Sequence, residues 1–252
     1  MLSTAKIKFI RSLEHKKFRK EAKIFVVEGV KAVKELLSSE YVIAEIFMTD
    51  DCTLEIPATI ESHIISHKSL ERISILKTPN KILALAEIPD NEQNISNVNN
   101  QLILALDNIS DPGNMGTIIR IANWYGISII LCNNDCVDCY SPKVVQSAMG
   151  AIFRTKIIYS DLDKTLSEMK KKHHITLYST ELTGQSIYDI ELNNSGIILI
   201  GNESHGVSES LSLLSDYKIK IPSYPADNQN MESLNAGIAT GIICAEFRRR
   251  VF

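Results

Sequence analysis

The sequence predicts an α/β protein in two parts: a small mixed α/β domain over residues 1–90 and a larger domain over residues 101–252 built on a parallel sheet, joined by a linker over 91–100. Three observations predict it. After residue 100, short apolar runs without polar alternation recur between helical patterns, which is how a parallel sheet covered on both faces reads. Residues 89–100 hold five Asn in twelve positions and almost no large apolar side chain, the composition of a connection. The whole chain, 252 residues with 44% hydrophobic and 23% charged side chains, has enough apolar material for one large core or two smaller ones.

The elements follow in order. The first domain opens with a basic helical segment, then a strand FVVE (25–28), a helix over about 30–38, and the apolar runs VIAEIFM and ILALAEI. The second gives a strand LILAL (102–106), a helix near 115–125, a strand ISIILC (127–132) and a helix near 143–151. It continues with KIIY (156–159), a helix near 162–172, ITLYS (175–179), IILI (197–200), a short helix near 207–214, YKIKI (217–221) and a last helix near 232–249. In open parallel sheets ligands bind beyond the carboxyl ends of the strands. The loops after Leu106, Ile200 and Ile221 are therefore where chemistry is expected.

Composition narrows the function classes. The longest uncharged stretch, the 14 residues between Arg120 and Asp135, is too short for a membrane helix. The N-terminus alternates apolar and basic residues without a continuous apolar core, unlike a secretory signal, so a cytoplasmic protein is expected. Five cysteines with no export signal argue for reduced thiols. Cys132, Cys136 and Cys139 have the C-x3-C-x2-C spacing of an iron–sulfur triad, but Asp138 rather than an aromatic residue precedes the last of them, so thiols are preferred. No G-x-G-x-x-G follows a strand and no Walker loop is present. Net charge is −3 and unevenly spread. Residues 1–23 carry eight basic side chains against Glu14 and Glu21, a balance of +6 that leaves −9 on the rest. Such a field attracts a polyanion to one end of the molecule.

Three loops concentrate special residues. DNISDPGNMGTIIRIANWYG (107–126) follows a strand, brings Asn108 and Arg120 toward the strand ends, and offers Asn114 as a helix cap. ILIGNESHGVS (198–208) places Gly201, Asn202, Glu203, His205 and Gly206 within six positions, with two glycines bracketing one carboxylate. IPSYPADNQNMESLNAGIATGIICAEFRRR (221–250) puts Ser233 and Asn235 at the start of the last helix. In that helix Gly237 and Gly241, one turn apart, allow a second backbone to approach.

These three loops, in this order, resemble the motifs of the SpoU/TrmH-type RNA 2′-O-ribose methyltransferases of the SPOUT superfamily. SPKVVQSAMGAIF (141–153) resembles a further recurrent segment, and FVVEGVKAVKELL with KTPNKILALAEIP resembles the family's substrate-binding domain. The resemblance implies a deep trefoil knot near the C-terminal end, S-adenosylmethionine as cofactor, no metal, a homodimer, and RNA as substrate, ribosomal RNA before transfer RNA. A knotted base methyltransferase and a non-catalytic RNA-binding member are the alternatives. Carried over by position, it assigns catalysis to Arg120, Asn108, Glu203, Ser233 and Asn235. Cofactor contact falls to Thr180, Ile200, Gly201, Asn202, Gly206, Ile221, Pro222 and Leu234. Gln146 stands where the family commonly has arginine, Gly237 where serine is frequent, and ten residues separate Pro222 from Ser233 where fewer are usual. For a neutral ribose hydroxyl attacking a sulfonium methyl, the enzyme must align the atoms and let a proton leave. Arginine is too basic for a ready general base, so Arg120 is expected to stabilise the forming alkoxide and Glu203 to orient it.

Overall fold

The computed structural model describes residues 2–90, 98, 100–224 and 233–249. Most of the expected linker, and the middle of the third loop, therefore lie outside the described residues. The chain begins with α1 (Thr4–Ser12) and α2 (Lys16–Ala22), followed by β1 (Ile24–Glu28), α3 (Val30–Leu37), β2 (Ile43–Met48), β3 (Ser62–Ile64), α4 (His67–Ile73) and β4 (Ile82–Glu87). These strands form one sheet in the order β1-β4-β2-β3, antiparallel except for β2 with β3. Ile10 and Leu13 from the first helical segment pack with Val26, Phe47, Leu70, Ile73, Leu83 and Leu85 into its core.

The chain continues through β5 (Leu102–Leu106), α5 (Pro112–Trp124), β6 (Ile129–Cys132), α6 (Pro142–Ala148), β7 (Lys156–Tyr159), α7 (Leu162–His173), β8 (Leu177–Ser186), β9 (Gly196–Ile200), α8 (Glu209–Leu214), β10 (Tyr217–Lys220) and α9 (Ala236–Arg249). The six strands are parallel throughout, in the order β10-β8-β9-β5-β6-β7. Every residue of β5, β6 and β9 is buried, which is why these segments read as unbroken apolar runs. Ile103, Ala105, Leu131, Ile158, Leu177, Ile197 and Leu199 pack with Leu162, Leu166, Met169 and Leu211 in one core cluster.

The compact units do not follow chain order. Residues 138–154 group with residues 1–90, while 91–137 and 155–252 form the second unit. Within the first unit, Arg19 is 2% exposed and donates to Asp138 Oδ2 from Nε at 3.1 Å and Nη2 at 2.6 Å, and from Nη1 to the Leu13 and Glu14 carbonyls at 2.7 Å each. Tyr140 packs on Phe25 and exchanges a hydrogen bond with Tyr41, and Arg154 pairs with Glu35. Burial also pushes the Tyr140 and Tyr41 hydroxyls above their ordinary range.

This changes how the positive N-terminus reads. Lys6 pairs with Glu45, Arg11 donates to the Ser74 carbonyl, and Lys23 pairs with Asp90. Lys8, Lys16, Lys17 and Lys20 are exposed, and among the described residues only Lys17 of these has an acidic neighbour, Glu21 at 3.9 Å. Part of the +6 is thus consumed inside the fold, and Arg19, one of the eight basic residues counted in this segment, is buried.

Candidate active site at the strand ends of the second unit

The loops after β5, β9 and β10 converge through side chains that the sequence singles out. Helix α5 starts at Pro112, whose fixed φ suits a first helical position, and Asp111 caps it by accepting from the Asn114 N–H at 2.8 Å. Asn114 is therefore not the cap. Its side chain instead faces inward, donating from Nδ2 to Glu203 Oε1 and accepting at Oδ1 from Asn235 Nδ2 at 2.8 Å. Ser233 Oγ donates to the Glu203 carbonyl at 2.7 Å, and the Ala236 N–H reaches Glu203 Oε1 at 3.4 Å. Asn235 caps α9, its Oδ1 accepting from the Gly237 and Ile238 N–H groups at 3.0 and 3.3 Å. The last helix consequently begins at Ala236 rather than near 232.

Glu203, Ser233 and Asn235 thus come together, and Asn114, valued in the sequence only as a cap, joins them. The signal was present in Asp111-Pro112: a cap residue followed by proline already marks the helix start and leaves Asn114 free for another role. Asn108 stands elsewhere. At φ 58, a conformation that asparagine tolerates better than most residues, it donates from Nδ2 to Asp107 Oδ1 at 3.1 Å. Its Oδ1 accepts from Asn133 and its carbonyl from Asn202 Nδ2 at 3.0 Å. Among the described residues Asn108 makes no hydrogen bond to Glu203, Ser233 or Asn235. Arg120 is exposed on α5, six residues beyond Asn114, with no hydrogen-bond or ion-pair partner among the described residues.

The positions expected to hold a cofactor lie on β8, at the end of β9 and on the loops after β9 and β10. Ile200 ends β9, and its carbonyl accepts from the Asp107 N–H at 2.9 Å. The next residues fold back on themselves: Asn202 and Gly206 exchange backbone hydrogen bonds at 3.1 and 2.8 Å. A Cβ on Gly201 would lie 2.1 Å from the Gly206 carbonyl carbon, so this hairpin admits no side chain there. Gly206 itself has φ +69 with nothing within 4 Å of an added Cβ, leaving backbone open to a ligand. Thr180 Oγ1 donates to the Leu199 carbonyl at 2.8 Å, placing the residue beside the end of β9. Ile221 and Pro222 follow β10 on the third loop, and Leu234 is 40% exposed between Ser233 and Asn235.

Helices α5 and α9 support the loops. Gly237 lies against Thr117 and Gly241 against Ile121, so the small residues of α9 serve close packing on α5. A Cβ at Gly237 would stand 3.0 Å from Thr117 Cγ2 and 3.2 Å from Asn235 Oδ1, so a side chain there would crowd both. Arg248 donates from Nε to the Tyr125 carbonyl at 2.8 Å, satisfying the end of α5. Arg250 lies outside the described residues.

All five cysteines are buried, without disulfides. Cys136 donates to the Leu106 carbonyl at 3.2 Å, and a hydrogen bond with Cys132 lowers its thiol below the ordinary range. Burial pushes Cys244 up to about 12. Two clusters of potential metal ligands, Glu45 with Glu61 and His63, and Asp50 with Asp51 and His67, lie in the first unit. Each already holds a lysine: Lys6 on Glu45 and Lys81 on Asp51.

Residues 101–245 match the SpoU rRNA Methylase family, and residues 4–84 match an MRM3-like substrate binding domain. The chain belongs to the SpoU methylase family. A TrmH-family RNA methyltransferase structure from Porphyromonas gingivalis is 35% identical, covers 99% of both chains and superposes with a TM-score of 0.89. The AdoMet-bound rRNA methyltransferase of Sinorhizobium meliloti is 25% identical, covering 100% of this chain and 98% of that one, with a TM-score of 0.87. The 23S rRNA (guanosine(2553)-2′-O)-methyltransferase RlmP of Bacillus subtilis is 27% identical over 246 residues, 96% of each chain. Among the described residues no helix is long and apolar enough to cross a membrane.

Proposed function

We propose that this protein transfers a methyl group from S-adenosylmethionine to a ribose 2′-hydroxyl of ribosomal RNA. The observation that carries the reading is the joining of the three motif loops by one set of polar side chains, Asn114, Glu203, Ser233 and Asn235. The match over residues 4–84 and the likeness to RlmP along nearly the whole chain favour ribosomal RNA over transfer RNA.

The residues present fit the cofactor. The open backbone at Gly206 and the tight return at Gly201 that follows Ile200 offer amides, and Thr180, Ile221, Pro222 and Leu234, assigned to the cofactor with Asn202 by the resemblance, would add apolar surface, the mixture an adenosine and its amino-acid tail require. S-adenosylmethionine supplies an activated sulfonium methyl. The chain's own task is to position the hydroxyl and manage its proton. Arg120, without a partner among the described residues, supplies positive charge for the forming alkoxide. Glu203 holds the Asn114 amide and, through Ala236 and Asn235, the start of α9, so it sets the geometry of the polar cluster. Asn114 joins this cluster from the first loop, while Asn108, the catalytic candidate named from the sequence, bonds Asp107, Asn133 and Asn202 instead.

RNA docking falls to the first unit, where Lys8, Lys16, Lys17 and Lys20 are exposed beside the exposed rings of Phe9 and Phe18. Lysines meet phosphates while rings offer stacking faces to unpaired bases. The homodimer expected from the resemblance is supported by α5 and α9: Trp124 is 84% exposed and Ile238 57% exposed on these two packed helices. The trefoil knot and a cytoplasmic location belong to the same proposal. The test is incubation of the purified protein with methyl-labelled S-adenosylmethionine and ribosomal RNA lacking the modification. Label entering the RNA supports the reading, and label absent from RNA while a known relative transfers it under the same conditions overturns it.

A further inference from the structure

Asp107 ends the run LILALD, and its carboxylate is 2% exposed although no cation pairs with it among the described residues. Its oxygens are nonetheless filled. Oδ1 accepts from Asn133 Nδ2 at 2.8 Å and from Asn108 Nδ2 at 3.1 Å. Oδ2 accepts from the Ser208 N–H at 2.8 Å. The three donors come from three loops: the one after β5, the one after β6, and the one after β9. Asn133 extends the junction, because its Oδ1 accepts from the Asn108 N–H at 3.2 Å and the Cys136 N–H at 3.1 Å. Asn108 carries it onward, its carbonyl holding Asn202 at the foot of the Gly201–Gly206 return. A buried anion held only by neutral donors costs desolvation, so every one of these bonds is needed, and a neutral residue of equal size does not reproduce them.

We infer that Asp107 is a positioning residue for the cofactor loop: it fixes the backbone of residues 201–208 from below and so sets affinity for S-adenosylmethionine without touching the reacting atoms. This rests on the methyltransferase reading given above. Asp107→Asn presents an amide to donors on both sides, so one side loses its acceptor whichever way the amide turns. The exchange Asp107→Asn with Asn133→Asp restores the pairing in reverse. Asn at 107 then keeps its oxygen on the Ser208 N–H and donates to the new carboxylate at 133, Asn108 turns its amide to follow, and the backbone N–H groups of Asn108 and Cys136 keep their acceptor.

The experiment measures three things in the full-length protein: the KM for S-adenosylmethionine against kcat, calorimetric cofactor affinity, and hydrogen exchange over residues 201–208. Asp107→Asn is expected to raise KM and Kd for the cofactor at least about tenfold, the worth of one charge-assisted hydrogen bond, with kcat changed less than about threefold and faster exchange over 201–208. The exchanged pair is expected to return both constants to within about threefold of wild type. A merely structural role would lower the active fraction, and with it kcat, at unchanged KM. That pattern, a KM within twofold of wild type, or an exchanged pair that is unfolded or still weak for the cofactor, overturns the inference. A wild-type chain that binds no S-adenosylmethionine sinks the functional reading instead, and hydrogen exchange then decides on Asp107 alone: faster in Asp107→Asn supports the tie, unchanged refutes it.

Discussion

Replacing Arg19 by alanine separates a structural cation from RNA-binding ones. In the folded chain the guanidinium side chain is 2% exposed and its partner Asp138 is 15% exposed. Four hydrogen bonds disappear together, two to Asp138 and one each to the Leu13 and Glu14 carbonyls. Removing one partner of a buried ion pair costs about 3–5 kcal/mol because the other charge is left without compensation. Asp138 keeps some access to water, so the lower end, about 3 kcal/mol, is expected. For a chain of this size that lowers Tm by roughly 6–12 °C. Thermal unfolding followed by circular dichroism measures it, with Asp138→Ala and the double variant completing a cycle whose coupling reports the pair itself. Arg19 is instead an RNA-binding cation if Arg19→Ala melts within about 2 °C of wild type while weakening RNA binding as much as a surface lysine does.

The other expectations are simpler. Glu203→Ala removes the oxygen that accepts from Asn114 Nδ2 and the Ala236 N–H, so kcat is expected to fall at least about a hundredfold with cofactor affinity nearly kept; turnover within threefold of wild type contradicts the role assigned to the cluster. Lys16, Lys17 and Lys20 changed to glutamate should leave Tm within about 2 °C, weaken RNA binding, and flatten its salt dependence by about 0.7–0.9 for each phosphate no longer neutralised, which filter binding at several salt concentrations checks. The acid limb of stability should depend on Asp51, which hydrogen bonds from Lys81 and Thr49 hold down to about 2. Its folded value lies below the unfolded one, so its contribution is present above about pH 4 and is lost as pH falls toward 2. Asp51→Asn should therefore flatten stability over that window in pH-dependent melts, and an unchanged profile would show that the pair contributes nothing.

What was legible in the sequence was the part governed by local patterning. LILAL and KIIY are strands over the residues their apolar runs mark; LILAL, buried on both faces, needs no alternation, and in KIIY the two central isoleucines are buried. The strand read at 175–179 continues to Ser186 because the chain shifts register beside β10 and pairs a second time at Gln185 and Ser186, which periodicity does not encode. The loops around the site were found because glycine, proline and asparagine crowd where backbone must turn. That Asn114 faces Glu203 was not found, because its side chain is released for that contact only by Asp111 taking over the cap of α5. The assignment of residues 138–154 to the first unit was equally hidden: it rests on Arg19 meeting Asp138 and Phe25 meeting Tyr140, pairs of residues more than a hundred positions apart. Those pairs bear on the expected division at residues 91–100, because a chain beginning there would leave Asp138 and Tyr140 without their partners.

Nucleoside analysis of the methylated RNA distinguishes ribose methylation from base methylation. Ribosomal RNA treated with the protein and labelled S-adenosylmethionine is digested by alkali, then separately to nucleosides, and the labelled species are identified by mass spectrometry. The expected result is an alkali-resistant dinucleotide carrying one methyl on its ribose, formed by the wild-type chain and not by Arg120→Ala, although that variant binds S-adenosylmethionine within a few fold of wild type. Label on a base, or a ribose methyl formed equally well by Arg120→Ala, would contradict the account.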